Sequence, residues 1–390
     1  MISFEDTKVA FGHKSDGELH VTHFLFSAMN FPLLTQLGVW SLSLFMKLKL
    51  PIKALIKNNL FKHFCGGETF EECEVSITNL SQSGIKSILD YSAEGEENEK
   101  GFDRNMEEVL RSLDFARAND DVSVVAVKLT GLVSFDILEK LQKGDRLSEI
   151  DMASYKSFKQ RLYTICSLAV EAEKVLYIDA EESWIQESID RVAYEMMRKF
   201  NRKRAYIFNT YQTYRKSALH ELIQTHNLLS DEGVLLGAKI VRGAYMEKER
   251  KRAKEKGYSD PIQPSKEKCD QAFDLALKYC VDNLNSIALC SGTHNEKSSA
   301  YLIEILESCD VRNNDPRVCF AQLYGMSDHI SYNLASHGFN VAKYLPYGPV
   351  EKVMPYLMRR AEENKSITGQ SSRELSLLKT EMRRRGTQEK

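Results

Sequence analysis

Near the end of the chain, Tyr356, Arg359, Arg360 and Glu363 follow one another at short intervals. On a helix, three- and four-residue spacing stacks an aromatic ring, guanidinium groups and a carboxylate as neighbours. Two adjacent arginines suit a small carboxylate ligand, because a guanidinium meets both carboxylate oxygens in a two-pronged hydrogen bond. Taken alone, the stretch reads equally as a solvated helix face with ordinary intrahelical ion pairs. Upstream, however, short apolar runs end one after another on side chains able to do chemistry. They deliver Lys128, then Asp179 with Glu181 and Glu182, then Asn209, Tyr211 and Gln212, and then Lys239, Arg242 and Tyr245. Thr293, His294 and Asn295, then Gln322 and Tyr324, then Lys343 and Tyr344 complete the series.

Cations dominate this set, with Lys128, Lys239, Arg242, Arg359 and Arg360 against Asp179 and Glu363, so the expected ligand is anionic. There is no HExxH, and the single rim histidine, His294, reads more readily as holding a loop than as a metal ligand. No GxSxG, P-loop or GxGxxG occurs. Spacing leaves two enzyme chemistries open: a Schiff base on Lys128 or Lys239, or a cationic rim holding a phosphate-bearing cofactor beside a carboxylate substrate. A binding protein for an acidic metabolite is the alternative from another class.

The elements that must position these residues form a regular series. β-branched or apolar runs cover Ile85–Tyr91, Ser123–Leu129, Val175–Asp179, Ala205–Asn209, Leu235–Val241, Ser286–Cys290, Arg317–Leu323 and Asn340–Leu345. Between them lie stretches of helical period, from Gly101–Ala118 through Asp328–Ser336, and the arginine-bearing helix follows the last run. Eight strand–helix units predict an α/β fold, a (βα)8 barrel of the TIM type, whose chemistry lies at the carboxyl ends of the strands. The predicted organisation is an N-terminal helical arm over 1–83, the barrel over 84–366 and a tail over 367–390. In the arm, Thr69 followed by Glu72 reads as a helix N-cap.

A net charge of −2 removes the global basicity that would argue for nucleic acid as a partner. Eight cysteines without a CxxC pair read as reduced thiols. The N-terminus has early acids and no apolar core, which reads as neither signal nor transit peptide, so a cytoplasmic protein is expected. Phe24–Met46 carries no charge and is long enough to span a membrane, but Asn30, Pro32, Gln36 and Gly38 interrupt it. Packing against the main domain is the first expectation, and peripheral contact with a membrane's inner face the second.

Lys343-Tyr-Leu-Pro-Tyr-Gly followed by Pro355-Tyr-Leu-Met-Arg-Arg-Ala-Glu-Glu-Asn364 resembles the signature of the proline dehydrogenase family. Val127–Leu132, Ile178–Glu182, Asn209–Gln212, Lys239–Tyr245, Thr293–Asn295 and Gln322–Met326 also resemble family motifs, in family order, over about residues 84 to 366. The resemblance implies a monofunctional, FAD-dependent enzyme on a distorted barrel. It would oxidise L-proline to Δ1-pyrroline-5-carboxylate by hydride transfer to flavin N5, with a membrane quinone as the next acceptor. Carried over, Lys128, Arg359 and Arg360 would clamp the proline carboxylate, while Leu323, Tyr344 and Tyr356 enclose the ring with Tyr245 close by. Asp179 and Glu363 would hold the cations. On the cofactor side the resemblance implies Asn209, Lys239, Val241, Arg242, Gly243, Thr293, His294, Asn295, Gln322 and Ser366. Asn209 and Lys239 depart from the glutamine and arginine of many bacterial members. Tyr344, where hydroxyproline dehydrogenases carry a smaller residue, implies a preference for proline. With a quinone as acceptor, Phe24–Met46 and the basic Met382–Arg385 tail become candidates for membrane contact.

Overall fold

The computed structural model describes residues 2–29, 57–91, 98–366 and 370–386, with the side chains of 28, 29, 58, 59, 361–366, 370 and 371 outside that description. Eight parallel strands close in sequence order: β1 (Ile85–Tyr91), β2 (Val122–Val127), β3 (Val175–Ile178), β4 (Ile207–Gln212), β5 (Leu236–Val241), β6 (Ile287–Gly292), β7 (Val318–Leu323) and β8 (Val341–Tyr347). β8 returns to β1 in a continuous register from Ile85 opposite Val341 to Tyr91 opposite Tyr347. The predicted closed (βα)8 barrel is therefore the fold.

Side chains alternate across each strand, and this sorts the sequence into two layers. Ile88, Val124, Ala126, Tyr177, Phe208, Cys290, Ala321, Ala342 and Tyr344 fill the lumen. Ile85, Leu89, Val125, Leu176, Ile207, Leu236, Leu289, Phe320 and Val341 face the surrounding helices. Burying each such aliphatic side chain contributes about 1.5–3 kcal/mol, so the double layer explains why the strands read as nearly continuous apolar runs.

The helices are α1 (Thr7–Phe11), α2 (Asp16–Met29), α3 (Phe70–Ser81), α4 (Glu99–Arg117), α5 (Phe135–Lys143), α6 (Glu149–Glu171), α7 (Ser183–Phe200), α8 (Ala218–Asp231), α9 (Met246–Lys256), α10 (Lys266–Asp282), α11 (Glu296–Ser308), α12 (Asp328–Ser336), α13 (Val350–Ser366) and α14 (Gln370–Arg385), with a further helical segment at Lys57–Phe64. Thr69 caps α3 by accepting from Glu72 N, as its sequence predicts. β4 departs from expectation. It runs on to Gln212 because Thr210 and Gln212 continue the ladder with Lys239 and Val241 of β5.

The arm is a brace for α13. Phe61, Phe64 and Cys65 pack with Val350, Val353, Tyr356 and Leu357 of that helix. Gly66 N donates to Pro346 O at 2.9 Å, and a Cβ on Gly66 would lie 2.7 Å from Leu345. The expected tail is also ordered into a helix: Leu377, Leu378 and Met382 of α14 pack on Ala10, Phe11, Leu19 and Phe26 of α1 and α2. Arg384 and Arg385 pair with Glu381, and Arg385 also holds Asp16 and the carbonyls of Phe11 and Lys14. The basic tail thus clasps the N-terminal helices. Among the described residues no helix is long and apolar enough to cross a membrane. Most of the uncharged stretch after Phe24, from residue 30 on, lies outside the described residues.

Candidate active site

The strand ends of β1, β2, β3, β5 and β8 converge in the mouth of the lumen. Lys239 Nζ donates to Asp179 Oδ1 at 2.5 Å and to Tyr344 Oη at 2.7 Å, and Tyr344 Oη donates to Asp179 Oδ1 at 2.7 Å. Lys128 Nζ lies 3.6 Å from Asp179 and 3.7 Å from Asp90. Lys239 also stands over the rings of Tyr177 and Tyr344, 5.4 and 4.7 Å from their centroids. Burial alone would raise the Asp179 carboxyl. The charges of Lys239 and Lys128, with hydrogen bonds from Lys239 and Tyr344, outweigh that and hold it below the usual carboxylate range. Two lysines therefore face two carboxylates, and the floor is a balanced polar cluster rather than a purely cationic one. Both lysines are held in ion pairs, Lys128 with Asp90 and Asp179 and Lys239 with Asp179.

Above this floor, Leu323 packs against both the lumen cluster and α13 and sets an apolar wall between them. Tyr356 is buried with the Arg360 guanidinium 5.0 Å from its ring centroid. Arg360 is buried and Arg359 half-buried. Tyr245 is half-buried beside Glu181 and within electrostatic reach of Lys128 and Arg359, and desolvation of its phenol pushes it well above its usual value. Lys128, Asp179, Tyr245, Leu323, Tyr344, Tyr356, Arg359 and Arg360 are thus brought to one mouth. Lys239, expected with the cofactor set, also stands in this cluster. The side chains of Glu363 and Ser366 lie outside the described residues.

The remaining cofactor candidates divide by strand parity. Val241 and Gly243 lie on the rim, and Gly243 holds φ +128 with a would-be Cβ 2.5 Å from the Tyr214 ring, so that position must stay bare. Thr293 and His294 follow on the next rim segment. His294 Nδ1 is 2.9 Å from Ser327 Oγ, and burial, together with Lys343 and Arg360, lowers its pKa to about 3, so the ring is neutral. Four candidates are turned into the protein instead. Asn209 Nδ2 donates to Asp190 Oδ1 of α7 at 2.7 Å, because Phe208 takes the lumen side of β4 and its neighbour must take the other. Arg242 spans Asp270, Thr293 and Ser298 and lies 4.3 Å from the Phe273 ring centroid. Asn295 caps α11, accepting from Lys297 N and Ser298 N. Gln322 Nε2 donates to Thr293 O, and its Oε1 accepts from Ser331. Arg242, Asn295 and Gln322 support the Thr293 turn from behind.

Lys343 is corrected in the same way. It stands not at the rim but fully buried on the outer face of β8, donating to Met326 O and, at 2.9 Å, to Asp328.

Several residues of the mouth went unassigned from sequence. Asp90 lies near the end of β1, two places after lumen-facing Ile88, and the same alternation puts Gln212 on the face of Phe208. Gln212 is buried, and its Oε1 has no hydrogen-bond partner among the described residues. Glu181 is buried, accepts from Thr130 N and Thr130 Oγ1, and is pushed up to about 7 by burial.

A closed parallel barrel whose strand ends gather lysines, carboxylates and tyrosines under an arginine-bearing helix is an enzyme of the TIM-barrel class. Residues 73–373 match the family model described as proline dehydrogenase. The chain is 32% identical to "Proline dehydrogenase 1, mitochondrial" of Dictyostelium discoideum, over 97% of this chain and 74% of the relative. It is 36% identical to the carbapenem antibiotics biosynthesis protein CarD of Pectobacterium carotovorum, over 83% of each. It is 30% identical to hydroxyproline dehydrogenase of Xenopus laevis, over 98% of this chain and 90% of the relative. Among solved structures, proline utilization A from Bdellovibrio bacteriovorus, inactivated by N-propargylglycine, superposes with a TM-score of 0.72 at 21% identity, over 81% of this chain. The chain spans about a third (34%) of that larger protein. The chain belongs to the proline dehydrogenase family of oxidoreductases.

Proposed function

We propose that the protein oxidises L-proline to Δ1-pyrroline-5-carboxylate, the first step of proline catabolism, with FAD as cofactor and a membrane quinone as the next electron acceptor. The observation that carries this reading is the meeting of Lys128, Asp179, Lys239 and Tyr344 in one lumen, beneath the helix that bears Arg359 and Arg360.

The residues fit a flavin beside the lumen. Bare Gly243, the neutral His294 ring and the buried Oε1 of Gln212 offer hydrogen-bonding groups from three strand ends. Val241, Gly243, Thr293, His294, Gln212, Lys239 and Ser366 would hold it, with Asn209, Arg242, Asn295 and Gln322 acting from behind. When bound, FAD supplies the hydride acceptor that no side chain provides.

This chain's own residues bind and orient the substrate. Arg359, Arg360 and Lys128 hold the proline carboxylate, and a multi-point clamp fixes which ring carbon faces the flavin. Leu323, Tyr344 and Tyr356 exclude water from the ring, and Tyr245 closes the side toward β5. Asp179 keeps Lys128 and Lys239 in place, and Glu363 is assigned the same task toward the arginines. Tyr344, fixed at its hydroxyl by Asp179 and Lys239, leaves little room for a ring substituent, which favours proline over hydroxyproline.

A quinone acceptor places the reaction at a membrane surface. We assign peripheral contact at the cytoplasmic face, supported by the exposure of Val21 and Phe24 on α2. The test is an absorbance spectrum of purified protein before and after anaerobic addition of L-proline. A flavin spectrum that bleaches is expected; protein that gains no flavin spectrum when supplied with FAD overturns the reading.

A further inference from the structure

We propose, resting on the flavin-site reading above, that α14 is a working part of the site: Glu374 pins Ser327, and Ser327 in turn orients His294. Glu374 lies one residue beyond the part of the chain that matches the family model, in a stretch that composition alone marks as a charged tail.

Ser327 is one of three non-glycine residues with positive φ among the described residues, at φ +53 and ψ +42. Such a backbone persists only where its surroundings hold it. Glu374 Oε2 accepts from Ser327 N at 3.0 Å, and Ser331 Oγ, which donates to Gln322, lies 3.3 Å from Ser327 O. Held so, Ser327 Oγ meets His294 Nδ1 at 2.9 Å. A hydroxyl on one imidazole nitrogen sets which tautomer the ring adopts, and hence what the other nitrogen offers.

Glu374 is 2% exposed and Ser327 fully buried. Burial raises the Glu374 carboxyl, a cost without purpose in a helix that only covers a surface. The preceding residue grips the other arm of the same motif. Arg373 Nε donates to Glu296 Oε1 at 2.9 Å, and Glu296 is the first residue of α11, whose N-cap is Asn295. His329 Nε2 lies 3.0 Å from the same oxygen. Consecutive residues of α14 thus fix His294 from one side and Asn295 from the other.

The experiment compares full-length parent, Glu374→Gln, Glu374→Ala and Ser327→Gly. FAD titration of each apoprotein, followed by flavin fluorescence, should show binding weakened about tenfold or more in Glu374→Ala and Ser327→Gly. Glu374→Gln, whose amide oxygen still accepts from Ser327 N, should stay within about threefold of the parent. The 15N-histidine NMR spectrum of the apoprotein, assigned with His294→Gln, should show a changed Nδ1/Nε2 tautomer ratio for His294 in the same two variants only. If Glu374→Ala does not fold, Ser327→Gly decides, since glycine accepts the positive φ and only the hydroxyl is lost. Parent-like FAD affinity with an unchanged His294 signal in Ser327→Gly overturns the proposal. So does a loss in Glu374→Gln equal to that in Glu374→Ala. A parent that binds no FAD instead sinks the flavin reading, and the His294 signal then decides the positioning role by itself.

Discussion

Lys239 on β5 and Tyr344 on β8 stand 2.7 Å apart, Nζ to Oη, and both close on Asp179 Oδ1 of the β3 end. Three hydrogen bonds form a triangle that spans the lumen. The triangle fixes the Tyr344 ring from its polar end.

Tyr344→Phe and Tyr344→Ser separate the two roles of that ring. The phenylalanine variant keeps the wall and loses the two hydrogen bonds of the Tyr344 hydroxyl, from Lys239 and to Asp179, each worth about 1.5–3 kcal/mol in stability, with selectivity for proline over hydroxyproline retained. The serine variant empties part of a buried cluster, costing about 3–5 kcal/mol, and should narrow the selectivity. Urea denaturation and the ratio of kcat/KM for the two substrates check both; unchanged selectivity in the serine variant refutes the steric role.

Lys239→Met leaves the largely enclosed Asp179 carboxylate, 14% exposed, with Lys128 as its remaining ion-pair partner on the floor. Removing one member of a buried pair costs about 3–5 kcal/mol, because the other stays desolvated and undercompensated. Lys239→Met combined with Asp179→Leu should recover part of that loss. A double-variant cycle in denaturant measures the coupling, and additive losses would remove the triangle from the account.

Arg359→Met and Arg360→Met each remove a charged hydrogen bond to the proposed substrate carboxylate, worth about 1.5–3 kcal/mol, and should raise the proline KM about 10- to 100-fold. FAD content should be unchanged. Steady-state kinetics with an artificial acceptor provide the measurement, and a parent-like KM would end the clamp assignment.

Glu181 gives a pH dependence of known sign. Its folded pKa is pushed up to about 7 from 4.5 by burial, so folding favours the protonated form. The associated stability is fully present below the unfolded value and is lost as pH rises through about 7. The parent should therefore lose about 3 kcal/mol relative to Glu181→Gln between pH 4.5 and pH 8. Denaturant titrations of both proteins at the two pH values would show it; parallel curves would not be compatible with a buried, protonated Glu181.

The strand series and the arginine pair were legible because they rest on local rules. Continuous apolar runs mark strands buried on both faces, and β1 from Ile85 to Tyr91 and α12 from Asp328 to Ser336 match their sequence-derived limits. Within the barrel two helices escaped as separate elements, α5 and α9. The first follows β2 so closely that only its cap, Ser134 accepting from Ile137 N, marks its start. The second is so charged, from Met246 to Lys256, that composition suits a solvated loop as well as a helix.

By itself the sequence determined the barrel, the order of its strand ends and the family motifs they carry, because each is written in contiguous residues. Only the tertiary structure decided which of those strand-end side chains look inward. A one-residue difference in position reverses a strand side chain, and on that basis Gln212 replaces Asn209 on the lumen side, while Tyr344 enters the site and Lys343 leaves it. Only closure of the sheet brings Asp179, Lys239 and Tyr344, from three separate strand ends, onto one oxygen atom. Long-range pairing of this kind depends on where the chain returns, and local spacing carries no record of it.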